Sequence, residues 1–224
     1  MHPESRAPAD LPRTGSGLID ALRLHARERP TAEAVGELDG AMGRCTHGEL
    51  AARVATRTQR LTASVEPGRV VIAVLPAGID YVAWFCASIA AGVQFLPMHT
   101  QVAGPEALAI AERVDAAAAI VASGLAAEPA LRHLAMDGPR GVPLGRLAET
   151  SSCESPGAVV LESSGTTGLP KLVLRRSTSL DADAAGVIAG MGLTPRDRVA
   201  FATPLSHSAG SRTPLDRGAS APYR

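Results

Sequence analysis

The sequence predicts an α/β fold made of βαβ-type sub-sheets with flanking helices. Three observations predict it. Arg69 to Leu75 (R-V-V-I-A-V-L) is a continuous apolar run between Pro67-Gly68 and Pro76, the pattern of a central parallel strand buried on both faces. Behind it, helical and strand-like periods alternate, which reads as βαβ units. Finally, a hydroxyl- and glycine-rich loop from Ser163 to Lys171 lies between two short apolar runs, Gly157 to Leu161 and Leu172 to Leu174, so the loop should connect two strands.

Taken in order, Met1 to Arg13 is polar and proline-bearing with no apolar core to a secretory signal, and residues 1–15 read as a flexible N-terminus. Ser16 can cap a helix reaching about Arg29, with Leu18, Leu22 and His25 near one face and Pro30 closing it; His25 is expected at the surface. After a short apolar stretch around Val35, Asp39-Gly40 signals a hairpin turn. Thr46-His47-Gly48-Glu49 forms a capping box ahead of a helix whose apolar stripe is Leu50, Val54 and Leu61.

The run at Arg69 to Leu75 is followed by a helix from about Ile79 to Ala91, with Trp84, Phe85 and Cys86 as core residues, and by a strand, Val93 to Leu96. Gly92 ends that helix. Gly104-Pro105 opens another helix to about Val114, and Ala116 to Ala122 makes a further strand. Residues 16–136 therefore read as a first α/β subdomain. Residues 137–156 turn to Gly, Pro, Ser and Thr without periodicity, a connecting segment between two sub-sheets. Residues 157–210 start a second α/β subdomain, with a helix from about Leu180 to Met191 and a strand from Arg198 to Thr203.

Composition limits the function. Net charge is zero, 3% of residues are aromatic and there is no basic block, so neither a nucleic-acid footprint nor a base-stacking platform is present. Small-molecule chemistry is the expectation. Cys45, Cys86 and Cys153 lie far apart with no C-x-x-C pair, which implies neither a disulfide framework nor a zinc site. Tyr81 to Met98, the longest apolar stretch, is broken by Gly92 and Gln94 and reads as helix then strand, not a membrane span. A cytoplasmic protein is expected.

The loop carries the chemistry. In Ser163-Ser164-Gly165-Thr166-Thr167-Gly168-Leu169-Pro170-Lys171, the two glycines let the backbone approach an anion and turn amides toward it, and four hydroxyls add donors. Pro170 restricts the chain before Lys171, the only lysine among 22 basic residues. A compact ammonium with rotatable donors suits a moving phosphate better than a planar guanidinium. A solvated turn with an incidental lysine is the bland alternative. A Walker-type loop fails on spacing, because Pro170 and Leu172 flank the lysine where glycine and Ser or Thr are needed.

The string resembles the S-G-T-T-G-x-P-K-G signature of the adenylate-forming superfamily of acyl-CoA synthetases, aryl-acid ligases, luciferases and peptide-synthetase adenylation domains. Two positions depart from it. Leu172 stands where glycine is commonest, and Glu162 occupies a position often aromatic or apolar. Thr46 to Leu50 is similar to the family's T-Y-x-E-L motif with His47 in the tyrosine position, and Ala91 to Met98 resembles A-G-x-x-x-x-P-L. Pro204-Leu205-Ser206-His207-Ser208-Ala209-Gly210 is similar to the P-L-x-H-x-x-G segment of acyl-CoA synthetases.

The resemblance implies the N-terminal part of the large domain of an adenylate-forming enzyme, truncated. It implies ATP-dependent conversion of a carboxylic acid to an acyl-adenylate, with Mg2+, and with CoA or another thiol as acceptor. Ser163, Ser164, Gly165, Thr166, Thr167, Gly168, Pro170 and Lys171 would hold the nucleotide, and Thr167 would also meet the metal. Lys171 and His207 would be catalytic, His207 by orienting the substrate carboxylate. The likeness runs from roughly Leu18 to Gly210, and residues 211–224 read as a tail foreign to the family. A non-catalytic remnant or weak nucleotide-binding module is the rival reading.

Overall fold

The computed structural model describes residues 11–12, 14–36, 43–135, 157–163, 171–200 and 205–206. The first helix, α1 (Gly17–Glu28), precedes a small antiparallel pair, β1 (Glu33–Gly36) and β2 (Arg44–Thr46). The predicted turn at Asp39-Gly40 lies outside the described residues, but the strands on either side of it are paired as a hairpin requires. Then follow α2 (His47–Ser64), β3 (Val70–Val74), α3 (Ile79–Ala90), β4 (Gln94–Pro97), α4 (Gly104–Arg113) and β5 (Ala118–Val121). A short helix, α5 (Glu128–Leu131), runs into a 3-10 turn at Arg132–Leu134. After the undescribed 136–156 come β6 (Ala158–Ser163), β7 (Lys171–Arg176) and α6 (Ser177–Met191).

Five strands form one sheet in the order β5-β3-β4-β6-β7. The first four are mutually parallel, and β7 returns antiparallel to β6. The sheet therefore does not divide at the 137–156 connection. Residues before and after it share a ladder, because β6 pairs with β4 through Gln94↔Ala158 and Phe95↔Val159. This placement needs a glycine. Gly157 has φ +37°, and a Cβ there would lie 2.5 Å from the Ile89 Cα and 2.7 Å from its carbonyl oxygen, so only a bare backbone lets the chain pass α3 and enter the sheet.

Side-chain alternation along the strands builds two cores. Val71, Ala73, Phe95, Val159 and Leu161 face the layer of α1, α2 and α3, while Ile72, Val74, Leu96 and Val160 face α4 and α5. The central strand is thus buried on both faces, as its unbroken apolar run requires. The capping box forms as read: the Glu49 amide donates to Thr46 Oγ1 at 3.3 Å and the Thr46 amide to Glu49 Oε2 at 2.9 Å. Gly92, at φ +73°, ends α3 with Val93 N–H donating to the Ser88 carbonyl at 3.1 Å. Trp84, Phe85 and Cys86 are buried as expected.

Three expectations need correction. His25 is buried at 5% exposure, because the face of α1 it shares with Leu22 packs on α2, where the His47 ring lies 5.0 Å away centre to centre. Ser16 occupies the N-cap position of α1 but makes no cap bond. Instead, Asp181 of α6 accepts from the Gly17 and Leu18 amides at 2.8 and 3.2 Å, so a carboxylate distant in sequence satisfies the free amides and complements the helix dipole. Finally, Arg198 to Ala200 is not a strand; a β conformation persists where a neighbouring strand accepts its hydrogen bonds, and none pairs with these residues among those described. The rest of that predicted strand, 201–203, lies outside the described residues.

Candidate functional site

The phosphate-loop signature spans the end of one hairpin. Antiparallel pairing runs through six register pairs from Ala158↔Arg176 to Ser163↔Lys171, so the first and last residues of the nine-residue string stand opposite each other. Ser164 to Pro170 connect them and, like Thr167 as a metal ligand, lie outside the described residues. Because β6 runs parallel to β3, β4 and β5, the connection leaves the sheet at its carboxyl edge, where open α/β sheets bind ligands. Lys171 is exposed there. Among the described residues no group of three His, Cys, Asp or Glu side chains could hold a metal.

Several contacts fix this hairpin from behind. β6 is held on one edge by β4 and on the other by β7. At the far end of β7, Arg175 forms an ion pair with Asp183 of α6, and α6 in turn caps α1 through Asp181. The amide of Ser177 donates to the Gly157 carbonyl at 3.3 Å. A loop on such a base can present its donors without first paying to order its ends.

Glu162, read as a departure from the family text, has electrostatic consequences. It pairs with Leu172 in the register, and its Oε1 is buried without a hydrogen-bond partner among the described residues. Burial, helped by the nearby Glu106 carboxylate, pushes its pKa up. The Glu162 carboxyl thus stands on β6, one residue before Ser163, where the signature string begins. Sequence showed the residue; its half-burial within a sheet where β4 and β7 flank β6 came from the tertiary structure.

His207 lies outside the described residues, but Leu205 and Ser206 just before it are described, and Leu205 packs against the first core cluster. The Leu205 carbonyl accepts a hydrogen bond from the Tyr81 hydroxyl at 2.7 Å. Tyr81 had read only as part of an apolar helix. No local signal ties it to a residue 124 positions later. The structure thus brings Ser163 and Lys171 together in register and seats Leu205 on the core.

A family model described as AMP-binding enzyme matches residues 22–215, close to the limits read from the motifs. A search of curated protein sequences finds no match. Among solved structures, the chain is similar to VinN in complex with L-aspartate (TM-score 0.72, 22% identity, covering 92% of this chain and 61% of that one). It is similar also to O-succinylbenzoate coenzyme A synthetase (MenE) from Bacillus subtilis in complex with AMP (0.67, 22%, 84% and 50%). A third likeness is to the inhibitor-bound N-terminal domain of FACL13 from Mycobacterium tuberculosis (0.69, 21%, 91% and 56%). These likenesses establish the fold. The chain spans between 50% and 61% of the length of these solved chains.

Proposed function

The chain belongs to the AMP-binding enzyme family, and we propose that it carries the phosphate-binding part of a site that activates a carboxylic acid with ATP. The observation that carries this reading is the hairpin itself, whose strands hold the two ends of the signature, Ser163 and Lys171, in register at the carboxyl edge of a parallel sheet. Two neighbours support the ligand classes: MenE was solved with AMP and VinN with L-aspartate, a carboxylic acid.

In the proposed reaction a carboxylate oxygen attacks the α-phosphorus of ATP, the bond to the bridging oxygen breaks, and pyrophosphate leaves as the acid is joined to AMP. No base is required, since a carboxylate is already ionised near neutral pH. Negative charge grows on the departing pyrophosphate. Fixed amides at Gly165 and Gly168, the hydroxyls of Ser163, Ser164, Thr166 and Thr167, and the Lys171 ammonium would stabilise it, with Pro170 limiting the loop's freedom. Thr167 would also meet Mg2+ accompanying the nucleotide, which supplies charge neutralisation at the phosphates. His207 would orient the carboxylate. A thiol such as CoA would then accept the acyl group and release AMP.

The test is ATP–pyrophosphate exchange with a panel of aliphatic, aromatic and amino acids, alongside ATP binding by calorimetry. Exchange that needs an acid and disappears in Lys171→Ala supports the reading. Binding of ATP without exchange assigns a nucleotide-binding module instead, and binding indifferent to Lys171→Ala removes the lysine's role.

A further inference from the structure

We propose that the phosphate site extends one strand beyond the hairpin, and that His99, at the carboxyl end of β4, is a further nucleotide-binding residue whose Nε2–H donates to a phosphate oxygen. This deepens the reading of the hairpin as a phosphate site and rests on it. The first observation is register. β4 and β6 run parallel with Gln94 beside Ala158 and Phe95 beside Val159, and the same register continued to the strand ends sets Met98 level with Glu162 and His99 level with Ser163. The β4–β6 ladder itself closes at Phe95 and Val159. Beyond that point β4 keeps its strand course, with the Met98 amide donating to the Ala73 carbonyl at 2.8 Å, and β6 remains a strand to Ser163. Ser163 in turn pairs with Lys171 on β7. His99, Ser163 and Lys171 therefore form a row across the carboxyl ends of three neighbouring strands. Two strand spacings separate the ends of the row, about 10 Å, which leaves room for a phosphate group between the imidazole and the ammonium.

Side-chain alternation adds a second observation. Phe95 belongs to the core on the side of α1, α2 and α3, whereas Leu96 and Met98 belong to the core on the side of α4 and α5, so His99 falls to the first side. On β7, Leu172 packs against the second core, which leaves Lys171 on the first side as well. Imidazole and ammonium thus share one face of the sheet, and the Glu162 carboxyl, paired with Leu172, stands on the other. Connectivity points to the same place. β3 continues into α3 on one face of the sheet and its neighbour β4 into α4 on the other, and open α/β sheets bind ligands at such a switch point, beyond the carboxyl ends of the strands. His99 is the first exposed residue after β4. Its ring is also prepared as a donor: Nδ1 accepts from the Gln101 amide at 3.1 Å, which puts the proton of the neutral imidazole on Nε2 and fixes the ring's orientation.

The experiment is a titration of the uniformly 13C,15N-labelled 224-residue chain with ATP and Mg2+, followed by nuclear magnetic resonance, with the His99 ring signals assigned through bonds from its own backbone. ATP should shift the His99 Nε2–H signal while the His25 and His47 signals stay in place. By calorimetry, His99→Ala should weaken ATP binding about 10-fold, the loss of one hydrogen bond to a charged oxygen. A His99 signal unmoved at saturating ATP would overturn the proposal, and so would unchanged affinity in a folded His99→Ala. The titration reads the unsubstituted chain, so it decides the matter even where that variant does not fold. Lys171→Ala separates this proposal from the reading beneath it. Affinity lost in Lys171→Ala and kept in His99→Ala removes His99 and leaves the hairpin as the phosphate site, whereas a chain that binds no ATP, or binds it indifferently to both substitutions, removes both.

Discussion

Lys171 is the residue on which the nucleotide reading turns. Charge-assisted hydrogen bonds are worth more than neutral ones, so Lys171→Ala should weaken ATP binding by about 10–100-fold, measured by calorimetry, with little change in melting temperature because the side chain is exposed. Glu162, one register position away on the paired strand, should act in the opposite sense. Glu162→Gln removes a negative charge adjoining the loop and should tighten ATP binding by about 3-fold at neutral pH. An unchanged or weaker affinity would mean that the carboxyl does not face the phosphates electrostatically. A third residue sets a pH dependence. Burial, then His25 and Arg29, push the His47 pKa down from 6.5 to about 4. Between those values the unfolded chain takes up a proton that the folded chain refuses, so stability falls as pH falls through this window. The loss should be about 1–2 kcal/mol once solvent screening of this partly exposed ring is allowed for. Urea melts at pH 7 and pH 4.5 should show it in the parent chain and show less of it in His47→Gln.

At the scale of elements, the capping box of α2 was legible because all its parts lie within four residues. The cap of α1 was not, because Asp181 stands on α6. Asp181→Ala should cost about 1 kcal/mol, lower the melting temperature by about 2–4 °C, and speed amide exchange at the start of α1. Exchange at the start of α2 should stay as it was. Equal acceleration in both helices would mean global loosening instead of a lost cap. The hairpin of β6 and β7 was legible as two strands around a loop, since each apolar run is bounded by turn residues. Its direction in the sheet was not. Either a crossover or a tight return fits the same runs of residues, and the choice falls to the edge of β6 left open once β4 has paired with its other side.

For the whole molecule, Gly157 decides whether the hairpin belongs to the sheet. A Cβ there would overlap the Ile89 backbone, and helix backbone cannot yield as a flexible side chain does. Gly157→Ala should therefore destabilise by about 2–4 kcal/mol, with amide exchange rising first in β6 and β7. If β3 and β5 open as early, the hairpin is not a separately seated unit. The outer strand is also poorly covered by the described residues: Val173 and Leu174 are 48% and 46% exposed and Met191 of α6 is 65% exposed. An apolar edge strand of this kind promotes association. Val173→Lys should lower light scattering at high protein concentration without lowering the melting temperature.

The sequence by itself determined the alternation of helices and strands, the buried central strand, the capping box and the signature loop with its lysine, because each is written in residues close together in the chain. Periodicity, capping and loop chemistry are local. Tertiary structure decided that one sheet takes strands from both sides of the 137–156 connection, that His25 is buried, that Asp181 caps a helix far from it, that Glu162 is half-buried, and that Tyr81 reaches Leu205. Each of these depends on which faces meet when apolar surfaces are buried. That outcome is settled by packing among elements distant in sequence.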